Sequence, residues 1–215
     1  MTLSEKEWSI LDELIERYPR LAPIRAQIQK AFEVLVESYS HGGKLLIAGN
    51  GGSCADAQHI VGELMKSFKK RHPLPSELKT AMMELDPEEG ETLAESLECG
   101  LPAIAVTGHV CLTTAFANDV NADMTYAQQV NGYGEKGDVF LGITTSGNAK
   151  NVDYAVTVAK AKGLTVIGLT GKDGGRLGRR ADVPIIVPET ETYRIQEFHL
   201  PIYHALCLML EEHFF

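Results

Sequence analysis

Apolar residues recur at three- and four-residue steps through Trp8, Ile10, Leu11, Leu14, Ile15 and Tyr18, which predicts one amphipathic helix. Beyond Pro19 and Pro23 a second stripe runs through Ile28, Ala31, Phe32, Val34, Leu35 and Tyr39 and stops at His41-Gly42-Gly43, a glycine C-cap. A helical pair is therefore expected over residues 1–41. The pattern then shifts to short continuous apolar runs, each closed by a turn signal. Lys44–Ala48 leads into Gly49-Asn50-Gly51-Gly52-Ser53 and a helix from Cys54 to about Phe68. Ala103–Val106 is closed by Thr107-Gly108, and Val139–Ile143 by Thr144-Thr145-Ser146-Gly147-Asn148 and a helix through Ala161. Thr165–Leu169 is closed by Thr170-Gly171, and Val183–Val187 precedes a last helix from about Tyr193 to Glu212.

Five such runs, mostly separated by helices, predict an α/β fold with a five-stranded parallel sheet covered on both faces. Pro184 cannot donate to a ladder, so its run belongs at a sheet edge or a strand start. In such sheets ligands bind beyond the carboxyl ends of the strands, which directs attention to the loops at Gly49, Thr107, Thr144 and Thr170. Residues 69–100 break the pattern: basic at first, acidic afterwards, with Pro73, Pro75 and Pro87. They read as an insertion with short helices around 77–85 and 90–98. A solvated arm is expected, with a lid or an oligomer contact as the alternative.

Charge narrows the functional classes. Twenty Lys and Arg against 29 Asp and Glu leave a net charge of −9, which argues against a general nucleic-acid binder. Cys54, Cys99, Cys111 and Cys207 form no CxxC pair and fit a reducing compartment. No apolar stretch approaches the roughly 20 residues that span a bilayer. The amino terminus lacks the marks of a signal peptide. A cytoplasmic protein without membrane partners is the expectation.

The strand-end loops carry the candidate chemistry. In the first, Gly51 and Gly52 let backbone N–H groups approach a ligand, and Ser53 can cap the following helix or donate to a phosphate. It is neither a Rossmann GxGxxG nor a Walker A loop. Thr144, Thr145, Ser146 and Asn148 put hydroxyls and an amide at the start of a second helix, another arrangement suited to phosphate oxygens. His59 and Glu63 lie four apart on one helix face, a workable metal or acid/base pair. Gln196, His199 and His204 share the last helix, with Gln196 and His204 on nearly one stripe. A buried helix face with hydrogen-bonded polar groups would produce the same pattern.

The runs GNGGSCADAQHIVGEL, TTSGNAKNV, LTGKDGG and RIQEFHLPIYHAL, in this order, resemble the phosphoheptose isomerases of the sugar isomerase (SIS) fold. The resemblance implies one SIS domain over 1–215, a flavodoxin-like three-layer sandwich. It implies that Ser53, Thr145 and Ser146 hold a sugar phosphate, with Asn50, Thr144 and Asn148 supporting, and that Asn118 and Asp119 meet the sugar hydroxyls. It also implies a zinc ion on His59, Glu63, Gln196 and His204, with Glu63 as base, His204 as acid and Gln196 also near substrate. A homotetramer with active sites between subunits follows in the same way.

The activity so implied is ketose–aldose isomerisation. Its expected form is conversion of sedoheptulose 7-phosphate to D-glycero-D-manno-heptose 7-phosphate through an enediol or enediolate. The alternative is a non-catalytic SIS protein, either a sugar-phosphate sensor or a partner-binding regulator. His204 argues against the regulator. Two positions depart from the family pattern: Thr192-Tyr193 replaces a pair such as Ala-Asp, and Ala149 replaces a serine.

Overall fold

The computed structural model describes residues 4–215. Helix α1 (Glu5–Arg17) opens with a capping box, in which Ser4 accepts from the Glu7 amide and the Glu7 carboxylate accepts from the Ser4 amide. A 3-10 turn over Pro19–Ile24 leads into α2 (Arg25–Ser40). Strand β1 (Leu45–Gly49) and helix α3 (Gly52–Leu64) follow. After them come α4 (Ser76–Leu85), α5 (Pro87–Ser96) and β2 (Ala103–Ala105). Two helices, α6 (Val110–Phe116) and α7 (Thr125–Tyr133), precede β3 (Val139–Ile143). The chain closes with α8 (Lys150–Ala161), β4 (Thr165–Thr170), α9 (Gly175–Arg180), β5 (Val183–Ile186) and α10 (Thr192–Phe214).

All five strands are parallel, in the order β2-β1-β3-β4-β5. The order reverses between β1 and β3, which begin the two loops singled out above. Alternation along the strands sorts the core into two layers. Leu45, Ile47, Leu141, Ile143, Ile167 and Leu169 face α1, α2, α3 and α10. Leu46, Ala48, Phe140 and Val166 face α7, α8 and Leu177 of α9. Pro184 lies on the edge strand β5, as its missing N–H requires. Gly49 pairs with Ile143 and Ile143 with Leu169, so the three strands end level with one another.

The segment between α3 and β2 is a two-helix hairpin, with boundaries close to those expected. Its ends meet: Pro73 and Glu98 form an antiparallel bridge, and the Cys99 amide donates to the His72 carbonyl at 2.9 Å. The Glu211 carboxylate accepts from the amides of Phe68 (2.7 Å) and Lys69 (3.0 Å) and contacts His72 Nε2 at 2.8 Å. Burial alone would raise the Glu211 pKa, but the amides of Phe68, Lys70 and Lys69, with His72, outweigh it and hold the carboxyl below its ordinary value. This root lies where α3 ends and β2 begins, opposite the strand-end loops. Helix α4 buries no residue, and seven acidic side chains against Lys79 place a net −6 of the chain's −9 on 76–96.

Candidate active site

The turn after β1 carries Asn50, then Gly51 at φ +56°, a left-handed conformation that favours glycine. Helix α3 starts at Gly52 with no side-chain cap; the Ser53 and Cys54 amides donate to the Asn50 and Gly51 carbonyls at 3.1 and 3.0 Å, which leaves the Gly52 amide for a ligand. Gly52 also lets the Gln196 amide lie against the backbone, where a Cβ would collide with Gln196 Nε2. After β3, Gly147 at φ +69° packs on the Gly174 backbone, and α8 begins behind Ala149, again with no side-chain cap. Helix α10 starts at Thr192, also without a side-chain cap.

These three helix ends surround a cavity of about 310 Å³. Asn50, Gly51, Gly52, Ser53, Thr144, Thr145 and Gln196 line it, joined by Ile143, Ala149 and Thr192. No lining residue is charged. An anion held here would be met by amides, hydroxyls and the positive ends of α3, α8 and α10. Ser146 and Asn148 are absent from the lining and instead build the turn: the Asn148 amide donates to Ser146 Oγ at 3.2 Å, and Asn148 Oδ1 accepts from the Arg176 amide at 3.1 Å. Asn118 and Asp119 also lie outside the lining. They sit exposed on a π-helical turn, where the Asn118 amide donates to Asp119 Oδ1 at 2.9 Å.

A second cluster lies farther down α3 and α10. His59 Nε2 is 3.0 Å from Glu63 Oε1, and His59 Nδ1 is 3.0 Å from the Tyr203 hydroxyl. That hydroxyl donates to Asp56 Oδ1 at 3.2 Å. Burial raises the Asp56 pKa, and burial together with Asp56 raises that of Tyr203. The His204 ring stands 5.0 Å from that of His59 and 5.4 Å from that of Phe68. Burial, then the neighbouring His59, lowers the His204 pKa and keeps the ring neutral. Asp56, Tyr203 and Phe68 went unread in the sequence, although Tyr203 lies on the same helical stripe as His204 and Asp56 stands one turn before His59.

The expected metal ligands separate into two places. His59, Glu63 and His204 come together, whereas Gln196 sits at the cavity, eight residues and about 12 Å of helix rise above His204. His204 instead lines a groove with Ile10 and Leu14 of α1 and Tyr18 at its end. Among the described residues no three His, Cys, Asp or Glu side chains stand ready to hold a metal ion. The donor chemistry nevertheless fits one: His204 Nε2 is buried with no hydrogen-bond partner, and His59 and Glu63 bond each other where a cation would come between them.

A SIS domain profile matches residues 12–84 and 79–171. The chain is 38% identical over 194 residues to the phosphoheptose isomerase of Trichlorobacter lovleyi, covering 90% of this chain and 86% of that one. It is 37% identical over 210 residues to that of Helicobacter hepaticus, covering 98% and 92%. The structure of phosphoheptose isomerase from Neisseria gonorrhoeae superposes with a TM-score of 0.73 at 32% identity, covering 98% of this chain and all of the other. That from Francisella tularensis gives 0.72 at 31% identity, covering 99% and 100%.

Proposed function

The chain belongs to the phosphoheptose isomerase family of SIS-domain proteins, and from that premise we propose how its residues divide the work of isomerising a ketose phosphate. It is a sugar-phosphate isomerase that interconverts ketose and aldose forms. The substrate is sedoheptulose 7-phosphate and the product D-glycero-D-manno-heptose 7-phosphate. The observation that carries the reading is the uncharged cavity ringed by three uncapped helix starts. A phosphate dianion there meets the N–H group of Gly52 and hydroxyls from Ser53, Thr144 and Thr145. Thr192 stands where α10 adds its own end. Asn118 and Asp119 would reach the sugar hydroxyls.

Glu63 removes the proton from one of the two carbons and returns it to the other, and His204 moves the oxygen proton. A neutral, half-buried His204 suits that role because its ring can take up and return the oxygen proton within one turnover. The Asp56–Tyr203–His59 chain holds the groups beside Glu63 in register. A zinc ion on His59, Glu63, His204 and Gln196 would supply polarisation of the carbonyl oxygen.

Reach supports sites shared between subunits, as a homotetramer would provide. Glu63 lies eleven residues beyond Gly52, about 16 Å along α3. Eight single bonds of about 1.5 Å from phosphorus to C1 span at most about 10 Å once zigzagged. The phosphate cradle of one subunit is therefore completed by the Glu63–His204 cluster of another. Unpaired Cys54, Cys99, Cys111 and Cys207 suit the cytoplasm, and no helix among the described residues is long and apolar enough to cross a membrane. The test is solvent exchange: in D2O the protein should place deuterium on C1 or C2 of the ketose phosphate. A substrate recovered free of deuterium, with no product formed, contradicts the reading.

A further inference from the structure

The two loops that cradle the phosphate leave the sheet where β1 and β3 end level, at Gly49 and Ile143. Beyond that point one device joins them. Asn50 Nδ2 donates to Asn151 Oδ1 at 2.9 Å, and Asn151 Nδ2 donates back to Asn50 Oδ1 at 2.9 Å, closing a two-bond amide ring. No other hydrogen bond among the described residues links 50–53 with 144–151. Asn151 Oδ1 also accepts from the Val152 amide at 3.0 Å, which fixes the ring to the first turn of α8. From α7, in the same layer as α8, the buried Tyr126 hydroxyl donates to the Gly49 carbonyl at 2.7 Å and stands 3.1 Å from Asn50 Oδ1. Burial, with Cys54 nearby, pushes the Tyr126 pKa up to about 12, so the phenol stays a donor.

Asn50 lines the cavity, whereas Asn151 and Tyr126 do not. We propose that Asn151 and Tyr126 are positioning residues, which lock Asn50 and so set the spacing between the α3 and α8 ends that hold the phosphate. The proposal rests on the phosphate reading of this cavity. An uncharged cradle depends on amides already pointed at the anion, because it has no flexible cation to follow a displaced ligand. Releasing the ring lets the two helix starts drift independently, a loss felt in binding before chemistry.

Calorimetric titration with inorganic phosphate, alongside steady-state kinetics, tests this in Asn151→Ser and Tyr126→Phe. Serine can still accept from an amide in the first turn of α8 but is too short to pair with Asn50, so a merely structural role would be rescued. The expected result is a native-like Tm for both variants with kcat within about twofold. Phosphate Kd and substrate KM should rise together, about tenfold in Asn151→Ser and severalfold in Tyr126→Phe. A folded Asn151→Ser that binds phosphate as the unaltered chain does overturns the proposal. If that variant does not fold, Tyr126→Phe decides alone, and unchanged phosphate affinity there overturns it equally. Failure of the unaltered chain to bind phosphate overturns the cavity reading itself.

Discussion

Gln196 and His204 ride the same helix eight residues apart and open onto different spaces, Gln196 onto the phosphate cavity and His204 onto the groove beside α1. Their shared stripe brings the side chains to one face of α10, but the rise between them is about 12 Å. On the proposed assignment of roles, one chain carries both halves of the chemistry about 12 Å apart along α10.

Subunit mixing tests that division. A phosphate-defective Asn50→Ala/Ser53→Ala chain and an acid/base-defective Glu63→Gln chain should each be inactive alone. Refolded together, they should recover measurable turnover, because some mixed sites combine an intact cradle with an intact Glu63. Mixtures with no activity beyond the separate variants would place both halves within one chain.

In the proposed mechanism Glu63 carries the proton transfer. Glu63→Gln should lower kcat by about 10²–10⁴-fold, the usual span for a general base, with phosphate Kd unchanged within about twofold. Deuterium exchange at C1 and C2, read by NMR, is the direct check. Turnover at the original rate would remove Glu63 from the mechanism.

His199 makes stability depend on pH. It is fully buried, its ring nitrogens make no hydrogen bond of good geometry, and burial, only partly offset by the nearby Thr170 backbone, pushes its pKa down to about 4. In the unfolded chain a histidine titrates near 6.5, so between about pH 6.5 and 4 the unfolded state takes up a proton that the native state refuses. The stabilisation is present above that window and is lost as pH falls through it, by about 3 kcal/mol in all. Denaturant unfolding of the parent and His199→Gln at pH 7.5 and pH 4.5 should show the parent losing more. Equal losses would contradict the assignment.

The α4–α5 hairpin stands apart energetically. Because Pro73 and Glu98 already pair, replacing 75–97 with a short Gly-Ser linker should keep the fold and its root contacts through His72 and Glu211. Tm should move by less than about 4 °C, the equivalent of about 1 kcal/mol for a chain of this size. A much larger fall would show that the hairpin supports the sheet.

The strands and the two phosphate loops were readable because each apolar run ends at glycine or hydroxyl residues, where local chemistry and fold coincide. The stretch between Thr107 and Asp138 was not. Helix α6 buries no residue, and α7 buries Thr125 and Gln129 beside Tyr126 and Val130, so neither shows a clean apolar stripe. The lower cluster was half visible. His59 and Glu63 follow from helical spacing, but the Tyr203–Asp56 bond joins residues 147 apart in sequence. The Asn50–Asn151 ring likewise depends on β1 and β3 becoming neighbours, which local patterning does not encode.

The central claim is the reaction itself. Purified protein incubated with sedoheptulose 7-phosphate, with and without added zinc, and followed by NMR should form D-glycero-D-manno-heptose 7-phosphate. Persistence of the ketose alone under both conditions, while the phosphate ester demonstrably binds, would contradict the account.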